Sequence, residues 1–282
     1  MKASKKLTVI TICKNSEGIE GTCKSIVRQT WQDFEWIVVD GASSEETLAV
    51  LDKYKSRIDV FISEEDAGVY AAMNKGIRLA RGEWISFMNG GDAFTDVFVL
   101  SRVFDGKDYP NADVLYGKNH FIDPKSQKLL STADYPKKLS MEFFSYASLC
   151  HQSTFLRRSL FSEFGEYNER MKMCADYEKF ILWFHAGKRF LKLPMVVANF
   201  RRGGISSTNP QLQTCERALA REVLPIEQRR ILSTPREPME TAYKCKLFDL
   251  IELFKIKRTR SGKIKNFYVL GVPVFRMESN LN

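Results

Sequence analysis

Apolar and polar positions alternate in blocks along the first part of the chain. Leu7-Thr8-Val9-Ile10-Thr11-Ile12 is a β-branched run of strand length, and Glu20 to Gln29 has helical spacing with Ile26 and Val27 inside it. Phe34 to Val39 predicts a second strand, stopped by Asp40-Gly41-Ala42-Ser43-Ser44, and Glu45 to Tyr54 a helix for which Ser44 is a plausible N-cap. Val60-Phe61-Ile62 predicts a third, short strand, Tyr70 to Ala80 another helix, and Trp84 to Met88 a buried strand that ends abruptly in Asn89-Gly90-Gly91-Asp92. Strands alternating with helices predict an α/β fold with a mostly parallel central sheet wound by right-handed crossovers. Between Asp113 and Phe161 the pattern turns to short strand-like pieces such as Val114-Leu115-Tyr116 and aromatic-rich stretches such as Phe143-Phe144-Ser145-Tyr146, so the second half is expected to be mixed. Asp176 to Trp183 reads as a helix, and Leu191 to Phe200 as a late strand entering Arg201-Arg202-Gly203-Gly204. Prolines and charges interrupt regular structure from Pro225 onward, which divides the chain into a domain over 1–225 and a small C-terminal appendage over 226–282.

Composition narrows the class. The 282 residues, 44% hydrophobic and 27% charged, suit a soluble globular protein with a sizeable core. No run of about 18 uncharged apolar residues occurs, so no spanning helix is expected. The basic start Met1 to Lys6 is soon followed by Lys14, Asn15 and Glu17, a poor signal-peptide core, and a cytosolic protein is expected. Six scattered cysteines without a Cys-x-x-Cys pair, and only three histidines, favour reduced structural thiols over a zinc site. A net charge of +9 favours acidic partners: phosphates, anionic lipid or nucleic acid. Basic residues interleave little with aromatics in the first part of the chain, so nucleic acid is not expected.

In an open α/β sheet, ligands bind beyond the carboxyl ends of the strands. Three such ends carry polar loops here: Cys13-Lys14-Asn15-Ser16, Asp40-Gly41-Ala42-Ser43 and Asn89-Gly90-Gly91-Asp92. Asp92 is the first functional candidate, against the alternative that Asn-Gly-Gly-Asp is only a tight turn. Gly18 to Ser25 nearly spells a phosphate-binding P-loop but has Cys23 where glycine is needed, and no G-x-G-x-x-G follows the first strand. Asp40 could cap a helix or accept hydrogen bonds from a base or ribose. Lys75 could meet a phosphate or simply be exposed. Asp176 could be an N-cap, or a general base desolvated by its Met, Cys and Tyr neighbours. His151, beside Gln152, could be a satisfied core residue, a substrate contact or a metal ligand.

Taken together, Thr8 to Asn15, Val38 to Ser43, Asp66 to Ile77, Ala80 to Ile85 and Asn89 to Asp92 resemble the family 2 glycosyltransferases of the GT-A fold. His151-Gln152, Ala175-Asp176-Tyr177 and Gly203-Gly204-Ile205-Ser206 extend the resemblance, which is to bacterial enzymes that build polysaccharide, lipopolysaccharide or capsule repeats. It implies a GT-A nucleotide-sugar-binding fold and inverting transfer from a nucleotide-diphosphate sugar to a glycan or lipid-linked acceptor, helped by Mn2+ or Mg2+. Carried over residue by residue, it implies nucleotide-sugar contacts at Thr11, Asn15, Asp40, Asp66, Asn74, Lys75 and Asn89. It also implies sugar contacts at Tyr70, His151 and Gln152, a metal ligand at Asp92 and the catalytic base at Asp176. The family's Asp-x-Asp motif is thinned here to a single carboxylate, Asp92, leaving few protein ligands for the metal.

Two rival readings differ in class. A sugar-nucleotide nucleotidyltransferase would want a glycine-rich basic signature where Cys13-Lys14-Asn15-Ser16-Glu17 stands, and a non-catalytic nucleotide or nucleic-acid binder would need only the charge. In the appendage, Leu247, Leu250, Ile251 and Phe254 predict an amphipathic helix over Tyr243 to Ile256, followed by a basic run from Lys257 to Lys265. That pairing suits the anionic inner face of the cytoplasmic membrane, or else packing on the domain or homodimerisation.

Overall fold

A computed structural model describes residues 5–204 and 209–233, and beyond them the backbone of four strands between 243 and 275. The first half follows the expected alternation: β1 (Leu7–Cys13), α1 (Ile19–Val27), β2 (Phe34–Asp40), α2 (Glu45–Asp52), β3 (Val60–Ser63), α3 (Val69–Leu79) and β4 (Trp84–Phe87). Next come β5 (Ala93–Phe94), α4 (Val99–Phe104), β6 (Val114–Ile122), β7 (Leu129–Ala133), α5 (Met141–Tyr146), β8 (Thr154–Arg157), α6 (Ser159–Phe164), α7 (Ala175–His185), β9 (Phe190–Arg201), α8 (Pro210–Ala220) and α9 (Ile226–Ser233). The strand order is β3-β2-β1-β4-β8-β6-β9-β5, with β7 beside β6. β3, β2, β1 and β4 run parallel, whereas β8 is antiparallel to both β4 and β6, and β6 is parallel to β9. A mostly parallel first half and a mixed second half match the expectation.

β1, β2 and β4 are buried on both faces, which is why they read as nearly continuous apolar runs, whereas the edge strand β3 is only partly buried. Ile10, Ile12, Ile37, Val39, Ile85 and Phe87 face one core with α3, α5 and α7. Leu7, Val9, Trp36, Val38, Trp84 and Met88 face the other with α1, α2 and α4. Buried Glu35 organises the entry to β4: its carboxylate accepts hydrogen bonds from Thr8 Oγ1 (2.8 Å), Arg81 N (2.9 Å) and Arg81 Nε (2.8 Å), while Thr8 Oγ1 accepts from Gly82 N (2.9 Å). A Cβ on Gly82 would overlap the Thr8 backbone nitrogen and sit 2.5 Å from the Leu7 carbonyl carbon, so only glycine lets the chain pass.

Three expectations are corrected or refined. Leu232, seven residues after Pro225, packs in the cluster that holds α5 and α7. The helix expected over Tyr243 to Ile256 is instead two antiparallel strands, β10 (Tyr243–Leu247) and β11 (Ile251–Arg258), extended by β12 (Ile264–Val269) and β13 (Val272–Phe275). Tyr243-Lys244-Cys245-Lys246-Leu247 alternates strictly, and that period of two outweighs the looser helical spacing. The basic run after Lys257 lies in part outside the described residues, as do Ile205 and Ser206. Cys13, Cys23, Cys150 and Cys174 are free thiols, but Cys215 is disulfide-bonded, so reduced thiols are not found throughout. No helix among the described residues is long and apolar enough to cross a membrane.

Candidate active site

The carboxyl ends of β1, β2 and β4 open on a cavity of about 1370 Å³ whose far wall comes from the 150–152 turn, the start of α7 and the end of β9. After β4, Asn89-Gly90-Gly91-Asp92 closes tightly against the β1 loop. A Cβ on Gly90 would lie 2.9 Å from the Cβ atoms of Cys13 and Ser16, and Gly91 has φ +104°. The turn therefore demands both glycines, and it sets Asn89 and Asp92 on the cavity wall.

Asp92 is 5% exposed. Its Oδ1 accepts the Arg201 backbone N–H (2.9 Å) and its Oδ2 accepts from Gln152 Nε2 (2.7 Å). Burial nevertheless dominates and pushes its carboxyl up to about 6, against the pull of those donors and of His151. Asp176, at the start of α7, lines the same cavity. It is not the N-cap of α7, a position held by Cys174. Its Oδ1 accepts from Tyr70 Oη (3.0 Å) and Tyr177 N (2.8 Å), and its Oδ2 accepts from His151 Nδ1 (3.0 Å). Burial above all, and then the Asp176 charge, keeps the Tyr70 phenol protonated as a donor.

His151 joins the two carboxylates' surroundings. His151 Nδ1 meets Asp176 Oδ2 (3.0 Å) and its Nε2 meets the Asn89 amide nitrogen (3.1 Å), so the adjoining residue pair His151-Gln152 touches Asp176 on one side and Asp92 on the other. Asp176 keeps an acceptor position that none of these contacts uses. A carboxylate offers roughly four lone-pair sites, of which three are used here; the remaining one on Oδ2 is available to a hydroxyl.

The other residues singled out from sequence divide. Asn15, Asp66, Tyr70, Asn89, His151 and Gln152 line the cavity with Asp92 and Asp176. Thr11 does not: it is fully buried and accepts from Trp36 Nε1 (3.0 Å). Asp40 sits behind the wall, accepting from Ser43 N (2.9 Å) and Ser63 Oγ (2.7 Å). Burial works to raise its carboxyl, but these bonds and one from Cys13 hold it below the ordinary value. Asn74 anchors the 167–169 segment, exchanging hydrogen bonds with Tyr167 N and O (2.9 Å each). Lys75 is held by Glu64 (2.7 Å) and Asp66 (2.5 Å), which raise its pKa through hydrogen bonding and charge. Sequence reasoning missed Lys172, in the segment that leads into α7, and Arg217, on α8, both of which line the cavity. It also missed the Arg201 backbone amide on Asp92, for which no side-chain pattern exists.

The family model described as "Glycosyl transferase family 2" matches residues 8–165, more than half of the chain. The chain belongs to glycosyltransferase family 2. Among relatives of this transferase, a PGL/p-HBAD biosynthesis glycosyltransferase of Mycobacterium bovis is 33% identical over 191 residues, covering 65% of this chain and 72% of the relative. An uncharacterized glycosyltransferase of Rickettsia typhi is 29% identical over 195 residues, covering 67% and 59%. Among solved structures, S. aureus TarS in complex with UDP superposes with a TM-score of 0.63 at 19% identity, over 81% of this chain and 70% of that one. The mannosyltransferase PcManGT of Pyrobaculum calidifontis, in complex with GDP-Man and Mn2+, gives 0.58 at 17% identity, over 82% and 69%. The transferase therefore has the GT-A fold.

Among the described residues no group of three or more His, Cys, Asp or Glu could hold a metal ion by itself. Two hard oxygen donors nevertheless belong to the same turn of this transferase: the Asp92 carboxylate, and Asn89 Oδ1, which is buried without a hydrogen-bond partner. An unpartnered carbonyl oxygen and a carboxylate are donors of the hard kind that Mg2+ or Mn2+ takes.

Proposed function

We propose that this transferase moves a sugar, with inversion, from a nucleotide-diphosphate sugar to a hydroxyl of a glycan or lipid-linked acceptor in surface polysaccharide synthesis. The observation that carries the reading is Asp176: a cavity-wall carboxylate held by Tyr70, Tyr177 and His151 with one lone-pair direction unused. Removing the proton from an attacking hydroxyl is worth roughly 100 to 10,000-fold in rate. Direct displacement by that hydroxyl inverts the anomeric centre and needs no enzyme nucleophile. Asn89 and Asp92 would hold a divalent ion, which when bound supplies Lewis-acid stabilisation of the leaving diphosphate. Arg201 and Lys172 add positive charge to the same cavity, and Asn15 and Asp66 contribute polar contacts at its nucleotide end. The +9 net charge supports attachment at the inner face of the cytoplasmic membrane, where a lipid-linked acceptor would be found.

The test is release of nucleotide diphosphate from a panel of UDP-sugars and GDP-sugars without acceptor, in Mn2+ or Mg2+ and again in EDTA. Slow metal-dependent release from at least one donor is expected, whereas a nucleotidyltransferase would need pyrophosphate and a nucleotide binder would release nothing. Full activity in EDTA would remove the metal role and leave Arg201 and Arg202 as counter-charges, since Lys75 is engaged by Glu64 and Asp66.

A further inference from the structure

A second groove, of about 610 Å³, adjoins the catalytic cavity and shares Phe121, Tyr135 and Ser148 with it. Its remaining wall includes Asp134, Phe143 and Tyr146. Tyr146 is 57% exposed, a large exposure for an aromatic side chain, and Phe143 braces it edge to face at 5.9 Å between ring centroids. Ser148 Oγ, between groove and cavity, is buried and makes no hydrogen bond. At the rim, Asp134 is bridged to Lys118 (2.7 Å) and Lys192 (2.6 Å).

We infer that this groove is the acceptor subsite and that its occupant is a pyranose ring of a saccharide acceptor, seated on Tyr146 with its hydroxyls toward Ser148 and Asp134. The inference rests on the transferase reading given above. An aromatic platform beside polar groups matches a pyranose, which has an apolar C–H face and a hydroxyl edge. A lipid chain would satisfy the rings but leave the buried Ser148 hydroxyl without a partner, which a pyranose hydroxyl supplies, while Asp134 at the rim stays paired with Lys118 and Lys192 in either case. Continuity with the cavity fixes the spacing. Ala147 and Cys150 are extended, with φ −130° and −83°, and Ser148 is three residues from His151, a reach of at most about 10 Å. His151 in turn is 3.0 Å from Asp176, so a short saccharide lying in the groove delivers its terminal hydroxyl to the proposed base.

The test is saturation-transfer difference NMR on the full chain with UDP present, using methyl β-glucoside, methyl β-N-acetylglucosaminide and methyl α-mannoside as probes. Saturation of the ring C–H protons of at least one probe is expected. Tyr146→Ala should weaken that binding about threefold to tenfold, as loss of an aromatic contact does, and Tyr146→Phe should restore it. UDP affinity and acceptor-free nucleotide release should remain at wild-type levels in both variants. No ring saturation from any probe, or equal saturation in wild type and Tyr146→Ala, overturns the groove assignment. Failure of wild type to bind either UDP or GDP, or to release nucleotide from any donor of the panel, instead overturns the transferase reading, so the two failures are distinguishable.

Discussion

Replacing Asp176 by Asn separates a chemical role from a structural one, because the surrounding hydrogen bonds can be rebuilt. The amide oxygen can still accept from Tyr70 Oη and Tyr177 N, which Oδ1 accepts in the wild type. The amide nitrogen then faces His151 Nδ1, a clash of two donors unless the ring moves its proton to Nε2. Asn89 can accommodate that shift, since its Oδ1 is unpartnered and a turned amide would accept from Nε2–H. With every bond replaced, Asp176→Asn should change stability by less than about 1 kcal/mol, a melting shift of a few degrees. Asp176→Ala has no such escape: the Tyr70 hydroxyl and the His151 N–H lose their acceptor, at about 1 to 3 kcal/mol each. Turnover behaves differently, because neither variant can take a proton, and both should lose at least about 100-fold, or roughly 2.7 kcal/mol of transition-state stabilisation. The assay is steady-state release of nucleotide diphosphate from the donor that wild type turns over fastest, with melting temperature and donor affinity measured on the same samples. An Asp176→Asn variant that keeps more than about a tenth of wild-type turnover would refute the base assignment, and one as unstable as Asp176→Ala would refute the exchange through His151 and Asn89.

Two further outcomes follow from buried groups. The Asp92 carboxyl is raised by burial from 3.8 to about 6 in the folded chain, so its protonated form is the stabilising one. That contribution is complete below about pH 4 and lost as pH rises through about 6, amounting to at most about 3 kcal/mol. Asp92→Asn should therefore gain on wild type in melting temperature between about pH 4 and pH 7.5 while losing metal-supported nucleotide binding; parallel pH profiles would contradict this. Gly82→Ala should lower the melting temperature by several degrees, from about 1 to 3 kcal/mol of overlap with the Thr8 and Leu7 backbone, and a neutral substitution would show that the Thr8–Glu35–Arg81 network does not fix the entry to β4.

What could be read from sequence was what has a local period or a local chemistry. The strands β1, β2 and β4 were legible because strands buried on both faces are nearly continuous apolar runs, and the Asn89 to Asp92 turn because only glycine tolerates its approach to Cys13 and Ser16. Residues whose role depends on tertiary direction were harder. Thr11 and Asp40 belong to motifs on β1 and at the end of β2, and Asn74 to α3, yet their side chains turn into the body of the fold. Arg217 and Ser148 carried no signal, since one arrives from a distant helix and the other is an ordinary serine until the groove closes around it. The C-terminal strands were misread as a helix because Leu247, Leu250, Ile251 and Phe254 satisfy helical spacing while a run of two-residue alternation lies beneath it.

The central claim, inverting transfer at the Asp92 and Asp176 cavity, is tested most directly by real-time proton NMR of the anomeric region while the full chain consumes an α-linked nucleotide sugar in the presence of Mg2+ or Mn2+. Inversion requires that the first sugar released to water, or first joined to an acceptor, carries the β configuration, with the α anomer of free sugar appearing only later through mutarotation. An α product formed first, or no consumption of any UDP-sugar or GDP-sugar offered, would contradict it.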